Sequence, residues 1–236
     1  MNYLRPTLFF SINKEIKTFS YEIIKTESEK PNIENKDKNL SIFINPKTQN
    51  YQYIDTRDFF CFVVGYPIFN DKISLEMNCH ETNKNKDSIK EFSKKLNISF
   101  LILLINKKDL SFKFINDRFN GIHFYWANLK NFFYGSFLYF DLFKKLRLEK
   151  KFELNQDSLL QYLWMYRVMD DATHDNFSKY LMPASILFIN GDDIKIEKYF
   201  LPNFAKTKRT RKEAGEEYIR LLSQSIKRQT SDIEKK

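Results

Sequence analysis

Residues 98–136 read ISFLILLINKKDLSFKFINDRFNGIHFYWANLKNFFYGS, and this stretch decides the fold. Its opening, 98–105 (ISFLILLI), is a nearly unbroken apolar run of strand length, which predicts a strand buried on both faces. After the turn Asn106-Lys107-Lys108-Asp109, residues 110–116 alternate, with Leu110, Phe112 and Phe114 set against Ser111, Lys113 and Ile115. The turn DRFNG, a strand at 122–127 (IHFYWA), the turn NLKN and a strand at 131–135 (NFFYG) follow. Four strands on short connections are an antiparallel pattern.

Working outward, 7–12 (TLFFSI), 20–24 (SYEII), 40–44 (LSIFI) and 58–65 (DFFCFVVG) read as further strands, the last ended by Gly65 and Pro67. The charged, proline-bearing stretch 26–39 reads as a long loop, as does 80–87. A helix is expected from Ser88, with Glu91 three residues later forming a capping box, to about Leu96. Downstream, 137–147 and 157–168 carry apolar residues at helical spacing, the second with Asn155 as its N-cap. Asn190-Gly191 joins 183–189 to 194–200 as a hairpin. A last helix is expected over 210–228, capped by Thr210 and Glu213, with the stripe Ala214, Tyr218, Leu221, Leu222 and Ile226. These readings together give an α+β protein of stacked antiparallel sheets with flanking helices.

The chain of 236 residues is 42% hydrophobic and 29% charged, a globular balance, with 24 Phe and 13 Tyr that favour sheet. The net charge of +9 admits nucleic acid as a partner, but the lysines are scattered among acids. The one dense run, Lys206–Lys212 (KTKRTRK), falls in a linker, so a basic nucleic-acid-binding role ranks last. Cys61 reads as a buried small hydrophobe, and Cys79 beside His80 lacks further ligands for zinc. This cysteine usage suits a reducing compartment, and no apolar stretch reaches membrane-spanning length, so a cytoplasmic protein without membrane contact is expected. His80, His123 and His174 have no metal spacing to one another, and the acidic loop around His174 reads as solvated. With 5 Gly, phosphate-cradling loops are absent.

The order of pieces from 96 to 226 resembles one family. Leu96-Asn97 leads into the buried strand, then come Asp117-Arg118-Phe119-Asn120-Gly121, Phe124-Tyr125-Trp126, Tyr134-Gly135-Ser136, Asn155–Leu163 (NQDSLLQYL), Leu181-Met182-Pro183 and Ile194–Phe200 (IKIEKYF). This series is similar to the amino-terminal, class II glutamine amidotransferase half of glutamine-hydrolysing asparagine synthetase. The resemblance covers somewhat more than half of the chain, and residues 1–95 match poorly. It implies an N-terminal-nucleophile glutaminase-like sandwich over 1–204, followed over 205–236 by a linker and the helix that would open a synthetase domain. The turn Asp117, Arg118, Phe119, Asn120 and Gly121 is then mainly architectural, although Arg118 offers a planar fork for a carboxylate or for backbone carbonyls.

The same resemblance shows what is missing. The family's glutaminase attacks with an N-terminal cysteine, whose own amino group is the base, and stabilises the oxyanion with an Asn-Gly pair. Here residue 2 is Asn2, no Cys, Ser or Thr precedes Thr7, and no R-G-P-D stretch occurs in 12–60. Val64-Gly65 stands for Asn-Gly, and Tyr66 replaces an acid. The expectation is therefore a degenerate domain with no catalytic residue and no metal or cofactor of its own. ATP and Mg would enter only through a missing or separate synthetase domain, engaged by 210–228. The alternative is a stand-alone interaction module that recognises a peptide or sugar precursor.

Overall fold

The computed structural model describes residues 8–25, 38–44, 51–65, 86–96, 99–203 and 209–230. Asn2, Phe69-Asn70, Cys79, His80, the loop 80–85 and most of the 26–39 loop lie outside these residues. The chain divides into two units, Met1–Phe200 and Leu201–Lys236.

The first unit holds two six-stranded sheets. One has the order β10-β8-β9-β1-β3-β2, built from β1 (Leu8–Asn13), β2 (Tyr21–Lys25), β3 (Leu40–Ile44), β8 (Tyr125–Asn128), β9 (Phe132–Ser136) and β10 (Ser178–Tyr180). The other has the order β12-β11-β7-β6-β5-β4, from β4 (Tyr51–Asp55), β5 (Phe59–Gly65), β6 (Phe100–Asn106), β7 (Phe112–Asn116), β11 (Ser185–Asn190) and β12 (Asp193–Lys198). Pairing is antiparallel except between β2 and β3, which run parallel. The chain is thus α+β, with two stacked, mostly antiparallel sheets.

Side-chain alternation assembles the layers. In β1, β3, β5 and β6 the residues Phe10, Ile42, Phe62 and Leu103 face a common inter-sheet core, joined by Phe114, Phe124 and Phe133. Their neighbours Cys61, Val63, Ile102 and Leu104 point to the opposite face of the second sheet. There they pack on Ile89 and Phe92 of α1 (Lys86–Lys95) and on Leu96. On the outer face of the first sheet, Phe9, Phe43 and Tyr134 pack on Leu142 of α2 (Tyr139–Leu148). The result is a helix–sheet–sheet–helix sandwich. The run at β6 is apolar throughout because its two faces serve two different cores.

Several boundaries differ from the sequence reading. The helix placed at Ser88 opens at Lys86, so Ser88 is inside it rather than its cap. The expected helix 157–168 is α3 (Gln156–Met165), stopped by Tyr166 at φ 55. Its cap stands as read, since Asn155 Oδ1 accepts from Ser158 N–H at 3.0 Å. Leu110 sits at φ 57 in the turn rather than in β7. Strands β4 and β10 were not expected: β4 is half-exposed on an edge, and β10 has three residues. The four-strand series also does not stay in one sheet. β6 and β7 belong to the second sheet and β8 and β9 to the first, so the chain changes sheets at the turn 117–124. Finally, Cys61 is disulfide-bonded, and no free cysteine occurs among the described residues. Cys61 is therefore not the lone buried thiol of the sequence reading, and cysteine usage no longer speaks for a reducing compartment.

An ion-pair cluster ties α1 to β12. Lys195 and Lys90 reach Glu197 at 2.5 and 2.7 Å and hold its carboxyl down at about 2. A carboxylate depressed in the fold stabilises above its unfolded pKa, and that contribution drains away as pH falls from about 4.5 toward 2. Water screens these pairs, so we expect Glu197→Gln to remove only about 1 kcal/mol of that acid-side loss. Melting temperatures between pH 6 and pH 2 are the check. The variant's curve should be flatter than the parent's, and parallel curves would refute the assignment.

The second unit contains α4 (Arg211–Thr230). Thr210 N–H donates to Glu213 Oε2 at 2.8 Å, and Glu213 N–H donates to Thr210 Oγ at 3.3 Å, a reciprocal capping box. Tyr218, Leu221, Leu222 and Ile226 are exposed. No helix among the described residues is long and apolar enough to cross a membrane, which says nothing about a β-barrel.

Candidate functional site

The crossing between sheets is built around Asp117, which is 2% exposed. Its Oδ1 accepts from Phe119 N–H at 2.9 Å and Gly121 N–H at 3.2 Å, and Oδ2 from Ile122 N–H at 3.4 Å. Its backbone anchors the turn to the second sheet: Asp117 N–H donates to Phe100 O of β6, and Asp117 O accepts from Ala184 N–H just before β11. A carboxylate with three nearby donors replaces the ladder that the chain leaves when it changes sheets. Gly121 is required by close approach, since a Cβ there would lie 2.0 Å from Ser99 Oγ. Arg118 donates to the Lys94 carbonyl near the end of α1, and its guanidinium lies 5.0 Å from the Phe200 ring centroid. A cation at a helix C-terminus is favourable, which accounts for this contact with the backbone. Phe119 is 82% exposed at the apex.

Asn120, held at φ 55, connects this turn to a cleft. Its amide donates to Leu181 O at 3.0 Å and to the Tyr180 hydroxyl at 2.5 Å. That leaves the Tyr180 proton for His123 Nδ1, 3.0 Å away. Register then brings the next ring alongside: Tyr180 of β10 is opposite Tyr125 of β8, which is opposite Ser136 of β9. Tyr139 of α2 and Tyr162 of α3 close the wall, with His174, Arg167 and Asp170 from the segment after α3. The cleft has a volume of about 390 Å³, within the range of small-ligand sites.

The walls are fixed from behind. Tyr139 OH donates to Asp175 Oδ2 at 2.9 Å, and Asp175 Oδ1 accepts from Phe177 and Ser178 N–H, each at 2.7 Å. Asp175 is fully engaged and 1% exposed, so it is a support for the cleft rather than a free base. Burial, reinforced by Asp175, pushes the Tyr139 phenol far above its ordinary range. Burial likewise pushes Tyr180 up to about 12, with a smaller contribution from Tyr125. Both rings therefore stay neutral at physiological pH. The segment that carries Arg167 is bracketed by Tyr166 at φ 55 and Asp170 at φ 54. It is braced by Met169 N–H donating to Gln161 Oε1 at 2.9 Å. Two bulky or charged residues in the left-handed region within five positions are the kind of strain that collects at functional segments.

The cleft has no signature in the sequence. His123 and His174 lack metal spacing in the sequence, and the structure brings them to one cleft through Tyr180, Tyr125 and Tyr139. No group of metal-ligating side chains suited to an ion occurs among the described residues. Nothing in the sequence links Tyr125, Tyr139, Tyr162 and Tyr180, because they come from four elements joined only by register and packing. At the other proposed landmark, Gly65 has φ 88, and a Cβ there would lie 2.2 Å from Ser99 O.

No family model and no curated protein matches the chain. Among solved structures it is similar to the glutamine phosphoribosylpyrophosphate amidotransferase of B. subtilis in complex with ADP and GMP. The TM-score is 0.41 at 10% identity, over 84% of this chain and 43% of that one. A structure of the allosteric regulatory enzyme of purine biosynthesis gives 0.42 at 10% identity, again over 84% of this chain and 43% of the other. The chain thus spans less than half the length of either. A likeness this distant carries no statement about activity, and the two-sheet α+β class rests on the geometry above.

Proposed function

We propose that the chain is a glutamine amidotransferase-like domain that does not hydrolyse glutamine. It serves as a structural or interaction part of an ATP-dependent amide-forming system related to asparagine synthetase. The observation that carries this reading is the turn Asp117–Gly121, where an asparagine synthetase-like motif coincides with the passage of the chain from one sheet to the other. The residues leading into β1, Asn2 to Pro6, hold no nucleophile. Cys61 is wholly buried and disulfide-bonded, so it does not supply one. An ATP-binding synthetase domain or subunit, carrying ATP and Mg, is engaged through the apolar stripe of α4. The exposed Leu160, Leu163 and Trp164 of α3 also favour an interaction role.

The test is glutamate release from glutamine by the purified protein. We expect none above the uncatalysed rate, with or without reductant. Release that disappears in Thr7→Ala or in Cys61→Ser would identify a nucleophile and overturn the reading.

A further inference from the structure

The cleft offers a binding chemistry that the amidotransferase-like reading does not use. Its rings form a continuous arc. Centroid separations run 5.7 Å for His123–Tyr180, 5.1 Å for Tyr180–Tyr125 and 5.9 Å for Tyr125–Tyr139. They continue at 5.8 Å for Tyr139–His174 and 5.5 Å for His174–Tyr162. Successive planes turn by 37°, 43°, 59°, 69° and 87°, so neighbouring rings along the arc are not parallel. A tilted arc walls a concave space, in which a compact guest meets several rings together. The Tyr139 hydroxyl is bonded to Asp175 and the Tyr180 hydroxyl to Asn120 and His123, so these two rings are held in place. Arg167 and Asp170 also line the cleft, both exposed, and neither forms an ion pair with another described residue.

Ring faces carry negative potential and attract cations, most strongly where several surround one charge. The Asp170 carboxylate adds to that attraction. The Arg167 guanidinium opposes a bare cation but suits an anion, which its planar fork binds in two places. A ligand that uses all of these groups has a rounded cation at one end and an anion at the other. We propose that the cleft is an aromatic cage for the quaternary ammonium group of a small phosphocholine-type zwitterion, whose phosphate pairs with Arg167. The proposal stands apart from the amidotransferase-like reading, and the glutaminase assay leaves it untouched.

Calorimetric titration with phosphocholine, choline and 3,3-dimethylbutan-1-ol, the neutral isostere of choline, tests it. The two cations should bind, phosphocholine more tightly, and the alcohol should not. Tyr162 is 47% exposed, so Tyr162→Leu should keep the near-ultraviolet tyrosine spectrum while weakening both cations about three- to tenfold. Arg167→Gln should abolish the advantage of phosphocholine without weakening choline, whose binding should tighten slightly as the repulsion is relieved. Sedimentation with phosphatidylcholine vesicles, competed by phosphocholine, would make the natural source a lipid headgroup, and its absence would make it a free small molecule. Equal binding of the alcohol and choline would reduce the cleft to an apolar hollow. Binding of adenosine monophosphate without choline would make it a stacking site. Either result overturns the cage, as does folded protein that takes up no choline at tens of millimolar.

Discussion

Asp117→Ala is expected to destabilise the protein by about 3–5 kcal/mol, the range for stripping a buried charged partner from groups that then have no other. The carboxylate accepts from three backbone N–H groups, of Phe119, Gly121 and Ile122, at a point where neither sheet offers a ladder partner. Alanine leaves the turn without these acceptors. The damage should spread into the second sheet, because the same residue's backbone bonds to Phe100 of β6 and to Ala184 just before β11. Asp117→Asn keeps one acceptor oxygen and should recover part of the loss. Urea unfolding at constant slope is the measurement, since a change in midpoint alone then reports stability. An alanine variant within 1 kcal/mol of the parent would show that the turn is not the junction described here.

Phe114→Ala is expected to cost a similar amount, about 3–5 kcal/mol. Phe114 is fully buried at the centre of the inter-sheet core. Its ring, carried by β7 of the second sheet, lies 5.5 Å from Phe10, 4.5 Å from Phe124 and 5.4 Å from Phe133, all on the side of the first sheet, so the two sheets meet at it. Strand backbones on either side are pinned by their ladders and cannot collapse into the space that alanine would leave. Phe114→Leu should cost clearly less, because it fills most of the volume. Equal losses for the two variants would point to ring-specific contacts instead of cavity formation. At the sheet crossing and in the core, then, the largest effects come from groups that join the two sheets rather than from groups within one.

Much of the architecture was legible locally. Strand alternation at Phe112 and Phe114, the apolar run at β6, the Asn155 cap, the Asn190-Gly191 hairpin and the Thr210–Glu213 box are each set by neighbours within a few residues. The errors share one physical origin. Strand β10 is only three residues long, and its place depends on Tyr125, more than fifty positions away. Tyr166, the left-handed cap that ends α3, and Leu110 adopt positive φ, which the propensities of these residue types do not anticipate. Cys61 sits in an apolar run where it resembles any small core residue, and nothing in that run signals its disulfide.

By itself, then, the sequence determined the class of this protein: short strands with two-faced apolar patterns, few glycines, and caps that place the helices. It also determined that no cysteine, serine or threonine stands among the first six residues. Only the tertiary structure decided that β6–β7 and β8–β9 lie in different sheets. Local turn chemistry at Asp117 is compatible with either a hairpin or a crossing, and the burial of Phe114 against Phe10 and Phe124 selects the crossing. Only the tertiary structure, too, gathered four tyrosines, two histidines, Arg167 and Asp170 around one cleft. Their proximity is a sum of register, helix packing and loop strain, and none of these is a property of any one stretch of chain.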